Sequence, residues 1–448
     1  MDRSRLPLRS RLLYASSSLG GEALTQSRSQ WLLYFYAPPS SAQLERLLPL
    51  GLAGPLMTAG RLIQAFEDPL VGWWSDRTHS RLGRRLPFVL GATPFWALFS
   101  FLLFAPPAAG TAATAAYLFI VLELMFLFST LSGGPYESLL PEIASTSGDR
   151  VSIVGMRVYF GAAGGLAGLV GAGLLVDHAG FKTMAIVMAV LALVFRYVGA
   201  YGVWRHASRT QPPAEIPLRE SLRTTFANEQ FRFFLPSFVL FQLGLQMLLG
   251  VLPFYVKAVL RAEHTGTWSG VLTAVAIGAM LTVVPIFARF ARRTSKRKAF
   301  RVAMLGSAIS FPLLGVVPGV PTAAQVVAVM ALAGLPIAGV YLFPAAITAD
   351  IIDYDAVRTG MRREAVYYGS QNFVEKLSTS LGPAFLSGLL LLGGSADDPL
   401  GVRLVGPVAG VIVLVGYLVF RSYDLPDEVP GVAAPAEVEV PRPRQRVG

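Results

Sequence analysis

Residues 67–85, EDPLVGWWSDRTHSRLGRR, set two adjacent carboxylates, Glu67 and Asp68, at the end of an apolar run and follow them with a short polar turn. Carboxylate oxygens in such a setting suit a hard cation such as Na⁺, or one of the pair can carry a proton. The plainer alternative is a helix-end carboxylate pair satisfied by the nearby arginines, and the residues alone leave both open. The turn itself holds Asp76 with Arg77, Arg81, Arg84 and Arg85, a set able to grip and release neighbouring helix ends. Other ionisable residues lie inside apolar stretches: Glu22, Arg28, Glu123, Glu137, Arg157, Arg196, Glu375 and Lys376. A charge at membrane depth costs several kcal/mol unless it pairs, meets water or neutralises, so each is a candidate for function. Arg28 and Arg196 are expected near interfaces, with their heads snorkelling to water. Glu123 reads equally as half of a structural pair or as a pathway group. Arg157 and Lys376 either face a solute or belong to a charge network that locks helices together.

The elements that must hold these groups follow from composition. The chain has 448 residues, 53% hydrophobic and only 15% charged, more apolar surface than one water-soluble core can hide. Apolar runs of about 20 residues, the length that crosses ~30 Å of hydrocarbon, begin near Leu12, Leu48, Phe88, Ala112, Val151 and Phe181. They resume near Phe233, Trp268, Val302, Ala323, Tyr367 and Val402. The expectation is an all-α integral membrane protein of twelve transmembrane helices in two six-helix bundles, 1–204 and 233–422. A cytoplasmic linker, 205–232, joins them, and the Pro- and Val-rich tail, 423–448, is expected to be disordered. Lys and Arg gather at 3–11, 77–85, 205–232, 289–301 and 358–363, which places both termini in the cytoplasm by the positive-inside rule. The formal charge of +11 is thereby accounted for by topology and anionic lipid, with no role for nucleic acid. With no cysteine there is no disulfide, thiol nucleophile or thiolate metal site. The four histidines, His79, His178, His206 and His264, fall in expected loops, and no HExxH, Walker-type loop or nucleophile elbow occurs, so an enzyme is not expected. Small residues four apart in GAAGGLAGLVGAG, 161–173, predict a close helix–helix contact.

The pattern DPLVGWWSDRTHSRLGRRLP resembles the loop between helices 2 and 3 of the glycoside-pentoside-hexuronide:cation symporters of the major facilitator superfamily, the melibiose-permease-like family. The resemblance continues in PYESLLPE, 135–142, in ADIIDYD, 349–355, and in QNFVEKL, 371–377. It implies a cation site in which Asp68 matches the later of two helix 2 carboxylates, while Gln64 stands where the earlier would be. A turn of helix brings positions i and i+4 together, so the Gln64 amide oxygen can join Asp68, with Glu67 adjacent. Thr130 matches the threonine that completes that site. The loss of one formal charge at Gln64 favours H⁺ over Na⁺ as the coupling ion. Glu22 matches a sugar-binding aspartate, but the lysine that precedes it in the family is Gly21 here. Gly133 falls on another sugar-binding aspartate and Glu137 on a tryptophan. Arg157 matches a substrate-site arginine, Tyr341 keeps an aromatic face for a ring, and Gln371, Asn372 and Lys376 carry over as pocket groups.

What the resemblance implies is a symporter, coupled to H⁺ or Na⁺, for a sugar or glycoside-like solute. It would work by alternating access as a monomer in the inner cell membrane, with no cofactor and no metal beyond Na⁺. The polar turn 76–85 would be its conformational latch. Lysophospholipid symporters of the same superfamily share a DPLVG step and differ by an apolar cavity with a lateral gap. A passive uniporter or receptor would be recognised by flux that ignores the cation gradient.

Overall fold

The computed structural model describes residues 6–78, 80, 82–108, 110–144, 147–205, 226–317, 319–359 and 364–426; most of the expected linker, and the tail from 427, lie outside them. The chain is helical, and no strand occurs among the described residues. The N-terminal helices are α1 Leu8–Tyr36, α2 Leu50–Arg77, α3 Leu86–Leu102, α4 Thr111–Glu137, a short α5 Leu140–Ile143, α6 Ser147–Leu166 and α7 Ala172–Val203, with a π turn over Ala167–Gly171 between the last two. The C-terminal helices are α8 Glu229–Tyr255, extended by a π turn over Val256–Leu260, then α9 Thr265–Arg293, α10 Lys296–Ser310, a short α11 Leu313–Val316, α12 Ala323–Leu342, α13 Pro344–Thr359, α14 Glu364–Leu390 and α15 Leu400–Phe420.

Local sequence explains where several of these start. The Asn228 side chain accepts from the N–H groups of Gln230 and Phe231, Ser295 accepts from Lys298, and Thr322 and Gln325 form a capping box. Each satisfies donors that a new helix otherwise leaves unpaired. Within α7 the backbone breaks at Gly180, φ 78° and ψ 170°, a conformation open to a residue without Cβ, and the apolar run expected from Phe181 resumes there.

Among the described residues, seven helical stretches are long and apolar enough to cross a membrane: Thr111–Glu137, Ser152–Val203, Glu229–Leu260, Thr265–Arg293, Lys296–Val316, Ala323–Thr359 and Leu400–Phe420. Ile120, Val190, Ile309 and Val411 stand exposed along them, which only an apolar surrounding makes cheap. Helices α1, α2 and α14 are absent from that set and carry Glu22, Arg28, Arg61, Glu67, Glu375 and Lys376 in their bodies. Candidate groups also lie within the apolar set, Glu123, Thr130 and Glu137 in α4, Arg157 in α6 and Tyr341 in α12.

The N-terminal helices pack α1 on α6 and α7, with α4 against α2 and α3. The small-residue stretch makes the first of these contacts close. A Cβ at Gly164 or Gly168 would run into the α1 carbonyls of Leu19 and Ala23. N- and C-terminal helices meet at one end of the molecule, through α2 with α14, α1 with α8, and α7 and the π turn before it with α9. Gly54 lies against Ser387, Tyr34 against Phe254 edge-on, and Gly173 against Gly266 with backbones touching. At the last of these, Asp177 of α7 caps α9. Its Oδ1 accepts from Gly266 N–H at 2.8 Å and its Oδ2 from Thr267 N–H at 2.5 Å. Away from this closed end the helices separate around a cavity.

Candidate functional site

That cavity has a volume of about 700 Å³ and is walled by α1, α6, α8, α9 and α12. Its polar pole lies on α1 and α6. Arg157 donates through Nη2 to Glu137 Oε1 at 3.0 Å and through Nε to Ser18 Oγ at 3.2 Å. One turn along α1, Gln26 donates to Glu22 Oε2 at 3.5 Å, and both side chains line the space. The ion pair is wet on one side, with the Glu137 side chain 63% exposed and Arg157 24% exposed. A pair so placed is worth little as a brace. It leaves a guanidinium fork and carboxylate oxygens turned to whatever fills the cavity. Tyr341 of α12, 60% exposed, lines the same cavity. The remaining wall is mostly aliphatic, with Leu245, Leu248, Leu249 and Leu252 of α8 and Ile277, Met280 and Leu281 of α9, and takes in Thr273 and Phe311. Val158 on α6 and Leu281 on α9 add to this apolar lining, each with more than half of its surface uncovered by protein.

Of the sequence-derived solute set, Glu22, Arg157 and Tyr341 line this cavity, and Glu137 reaches it through Arg157. The α14 residues do not join them there. Gln371 is 7% exposed and its Oε1 accepts from Thr348 Oγ1 of α13 at 2.8 Å, so its acceptor is occupied by a helix contact. Asn372 and Lys376 are exposed on α14, outside the cavity lining.

Of the cation set, Gln64 donates through Nε2 to Thr130 Oγ1 at 3.4 Å, joining α2 to α4 at a threonine only 5% exposed. Glu67 is half-buried on the same helix, and Glu123 of α4 lies within electrostatic reach of it. The side chains of Asp68, Asp76 and Arg77, and the whole of Arg81, lie outside the described residues. Arg84 is half-buried and Arg85 is buried, beside a turn in which Ser80 Oγ donates to Gly83 O at 2.6 Å.

Two expectations are corrected. Arg28 and Arg196 do not reach out to an interface. Arg28 is 9% exposed and sits over the Phe126 ring at 5.2 Å. The Arg196 guanidinium lies 4.6 Å from the Tyr136 ring centre and 5.3 Å from that of Trp96, inside the N-terminal helices. Cation–π contact with buried rings replaces the water that snorkelling would have supplied. Sequence reasoning also passed over Arg61, whose guanidinium reaches Ser29 Oγ at 3.1 Å and Thr379 O at 3.4 Å. Gln242 donates to Glu375 Oε1 at 2.7 Å between α8 and α14. An arginine in the middle of α2, two turns before Asp68, was the available signal for the first.

A many-spanning helical protein whose polar groups turn onto a cavity between its N- and C-terminal helices is built as a solute carrier. The chain belongs to the glycoside-pentoside-hexuronide:cation symporter family of the major facilitator superfamily, and the MFS/sugar transport protein family model matches residues 13–402. It is similar to the isoprimeverose transporter of Lactiplantibacillus pentosus, 24% identical over 88% of this chain and 81% of that one. It is also similar to the sodium-dependent lysophosphatidylcholine symporter 1 of Gallus gallus, 23% identical over 95% of this chain and 88% of the relative. Among solved structures it shares its fold with a mutant of the nucleoside transporter NupG, at a TM-score of 0.66 and 13% identity, over 94% of this chain and 100% of that one. The protein is therefore a multi-pass membrane transporter of the cell membrane.

Proposed function

We propose that this chain is a cation-coupled symporter that carries a sugar or glycoside-like solute by alternating access. Two six-helix bundles, 1–204 and 233–422, rock about the shared cavity, with linker 205–232 and both termini in the cytoplasm. The observation that carries the reading is the polar pole of Glu22, Gln26 and the Arg157–Glu137 pair on one wall of a 700 Å³ cavity, with Tyr341 on another. Carboxylates accept from sugar hydroxyls, the guanidinium donates in a fixed fork, and the phenol offers a ring face. Asp68, Glu67, Gln64 and Thr130 take the cation, H⁺ or Na⁺, one helix layer away. Cation and solute bind cooperatively because each orders groups the other uses. A charge moved across the bilayer is worth about 2.3 kcal/mol per 100 mV, enough for roughly fifty-fold accumulation with one cation per solute. The turn with Asp76, Arg77, Arg81, Arg84 and Arg85 acts as the latch at the cytoplasmic end. Gln371, Asn372 and Lys376 act as charge and hydrogen-bond partners on α14 that come to the cavity in another state of the cycle.

The apolar wall of the cavity favours a second reading: the solute carries an apolar chain, as a lysophospholipid or alkyl glycoside does. One experiment tests both. The protein is reconstituted in liposomes, and uptake of labelled glycosides, pentoses, hexuronides and lysophospholipids is measured under separate H⁺ and Na⁺ gradients, with Asp68→Asn as control. Gradient-driven sugar uptake that vanishes in Asp68→Asn supports the first reading. Lipid uptake alone replaces it with the second, and flux indifferent to both gradients overturns the symport.

A further inference from the structure

A second, smaller cavity of about 40 Å³ lies toward the closed end, between α1, α2 and α4 on one side and α8 and α14 on the other. Two arginines, Arg28 and Arg61, line it together with Ser29 and Gln246. Neither guanidinium forms an ion pair among the described residues. Arg28 donates through Nη1 to the thioether of Met125 at 2.9 Å and lies over Phe126, and Arg61 donates, among the described residues, to the Ser29 hydroxyl and the Thr379 carbonyl. All of these partners are neutral, and a thioether is a weak acceptor. Two guanidinium ions held side by side in the interior of a membrane protein repel each other and have lost most of their hydration. Such an arrangement is stable when a negative charge joins it, and the guanidinium fork matches a halide, carboxylate or sulfonate better than a thioether does.

We propose that Arg28 and Arg61 form an anion-binding site that accepts a single small negative group, completed from α8 by the Gln246 amide. The N-terminal helices supply both positive charges and the C-terminal helices the neutral donor, so an anion here ties the closed end together across the two sets of helices. The group is either a free inorganic anion such as chloride or the acidic group of a solute, a carboxylate or sulfonate. The free-anion form stands whatever the solute is, and the acidic-solute form rests on the symporter reading above.

The test is the melting temperature of the whole purified protein in nanodiscs, with Na⁺ fixed and citrate as balancing anion, a trianion whose charge and hydration bar it from a site for one negative group. The probes are chloride, methanesulfonate, glucuronate and, as neutral control, methyl glucoside. In the wild type a small anion should raise the melting temperature saturably, and the apparent affinity should fall about tenfold or more in Arg28→Met and in Arg61→Met, the effect of losing one charge-assisted partner. A shift from chloride with none from glucuronate identifies a free-anion site; a shift from glucuronate that chloride competes away identifies the acidic group of a solute. In citrate alone, the double variant Arg28→Met/Arg61→Met should melt no lower than the wild type, because it removes two unpaired charges and breaks no ion pair. Absence of a saturable shift from every small anion overturns the proposal. So does a double variant that keeps the shift, or that melts well below the wild type in citrate. Uptake of a neutral glycoside lost only in Asp68→Asn bears on the symporter reading and leaves this site standing.

Discussion

The Asp177 cap on α9 joins the N- and C-terminal helices at the closed end, and it can be removed without touching the cavity or the cation groups. Both of its oxygens accept from α9 backbone N–H groups, at 2.8 and 2.5 Å, and its charge faces the positive end of that helix. An N-cap change to Ala costs about 0.5–2 kcal/mol, and losing a charge at a helix N-terminus costs about 0.3–1 kcal/mol more. The site is only part-buried, so the freed N–H groups find water when the end opens, and the middle of the combined range, about 2 kcal/mol, is the sensible figure. At 1.4 kcal/mol per tenfold, that multiplies the population opened at this end roughly thirty-fold. The chain has no cysteine, so a single Ser387→Cys gives a clean reporter. Ser387 is 2% exposed and packs against Gly54 within the same closed end. Its labelling by a membrane-impermeant maleimide should speed up about thirty-fold in Asp177→Ala. In Asp177→Asn, which keeps an acceptor and loses the charge, the increase should be a few-fold. Asp398→Ala, which removes a carboxylate that caps α15 within the C-terminal helices, is the control and should leave the rate unchanged. A rate in Asp177→Ala within threefold of the wild type, or an equal rise in the control, would refute the idea that this carboxylate helps hold the end shut.

Other outcomes follow from the same contacts. Gly168→Val puts side-chain atoms where the Ala23 carbonyl lies, and overpacking of this kind costs about 1–3 kcal/mol, so the variant should melt below the wild type in a thermal-shift assay. Arg157→Lys keeps the charge and loses the fork that serves Glu137 and Ser18 together, and solute uptake should fall by roughly tenfold at sub-saturating concentration. Gln64→Asp restores a carboxylate beside Thr130 and should strengthen Na⁺ binding by about tenfold in isothermal titration, while Thr130→Ala should weaken it. Leu249→Ser in the aliphatic wall should lower uptake of a long-chain lysophospholipid or alkyl glycoside much more than that of a free sugar.

Hydropathy located seven apolar stretches among the described residues because a bilayer imposes one length and one composition on a span, and the stripe at 161–173 announced the α1–α6 contact because only small residues let backbones meet. The pairing of charges was far less legible. Asp177 meets Gly266 across 89 positions, and Arg61 meets Thr379 across 318, and no spacing rule reaches that far. The distinction between a buried cation over an aromatic ring and one that snorkels is equally invisible along the chain, which is how Arg196 was misplaced. The contact of Gln371 with Thr348 of α13 was illegible for a related reason: whether an amide turns to a cavity or to the next helix depends on how two distant helices are rotated.

The break at Gly180 joins two long helical segments with almost no loop, and Asp177 sits three residues before it. A connector of many residues would behave as a rope, going slack when its ends approach and absorbing any pull. This one behaves as a bracket. A displacement of α9 that tugs on Asp177 reaches 147–179 directly and 181–203 across a single residue, so the two segments are drawn together rather than in succession.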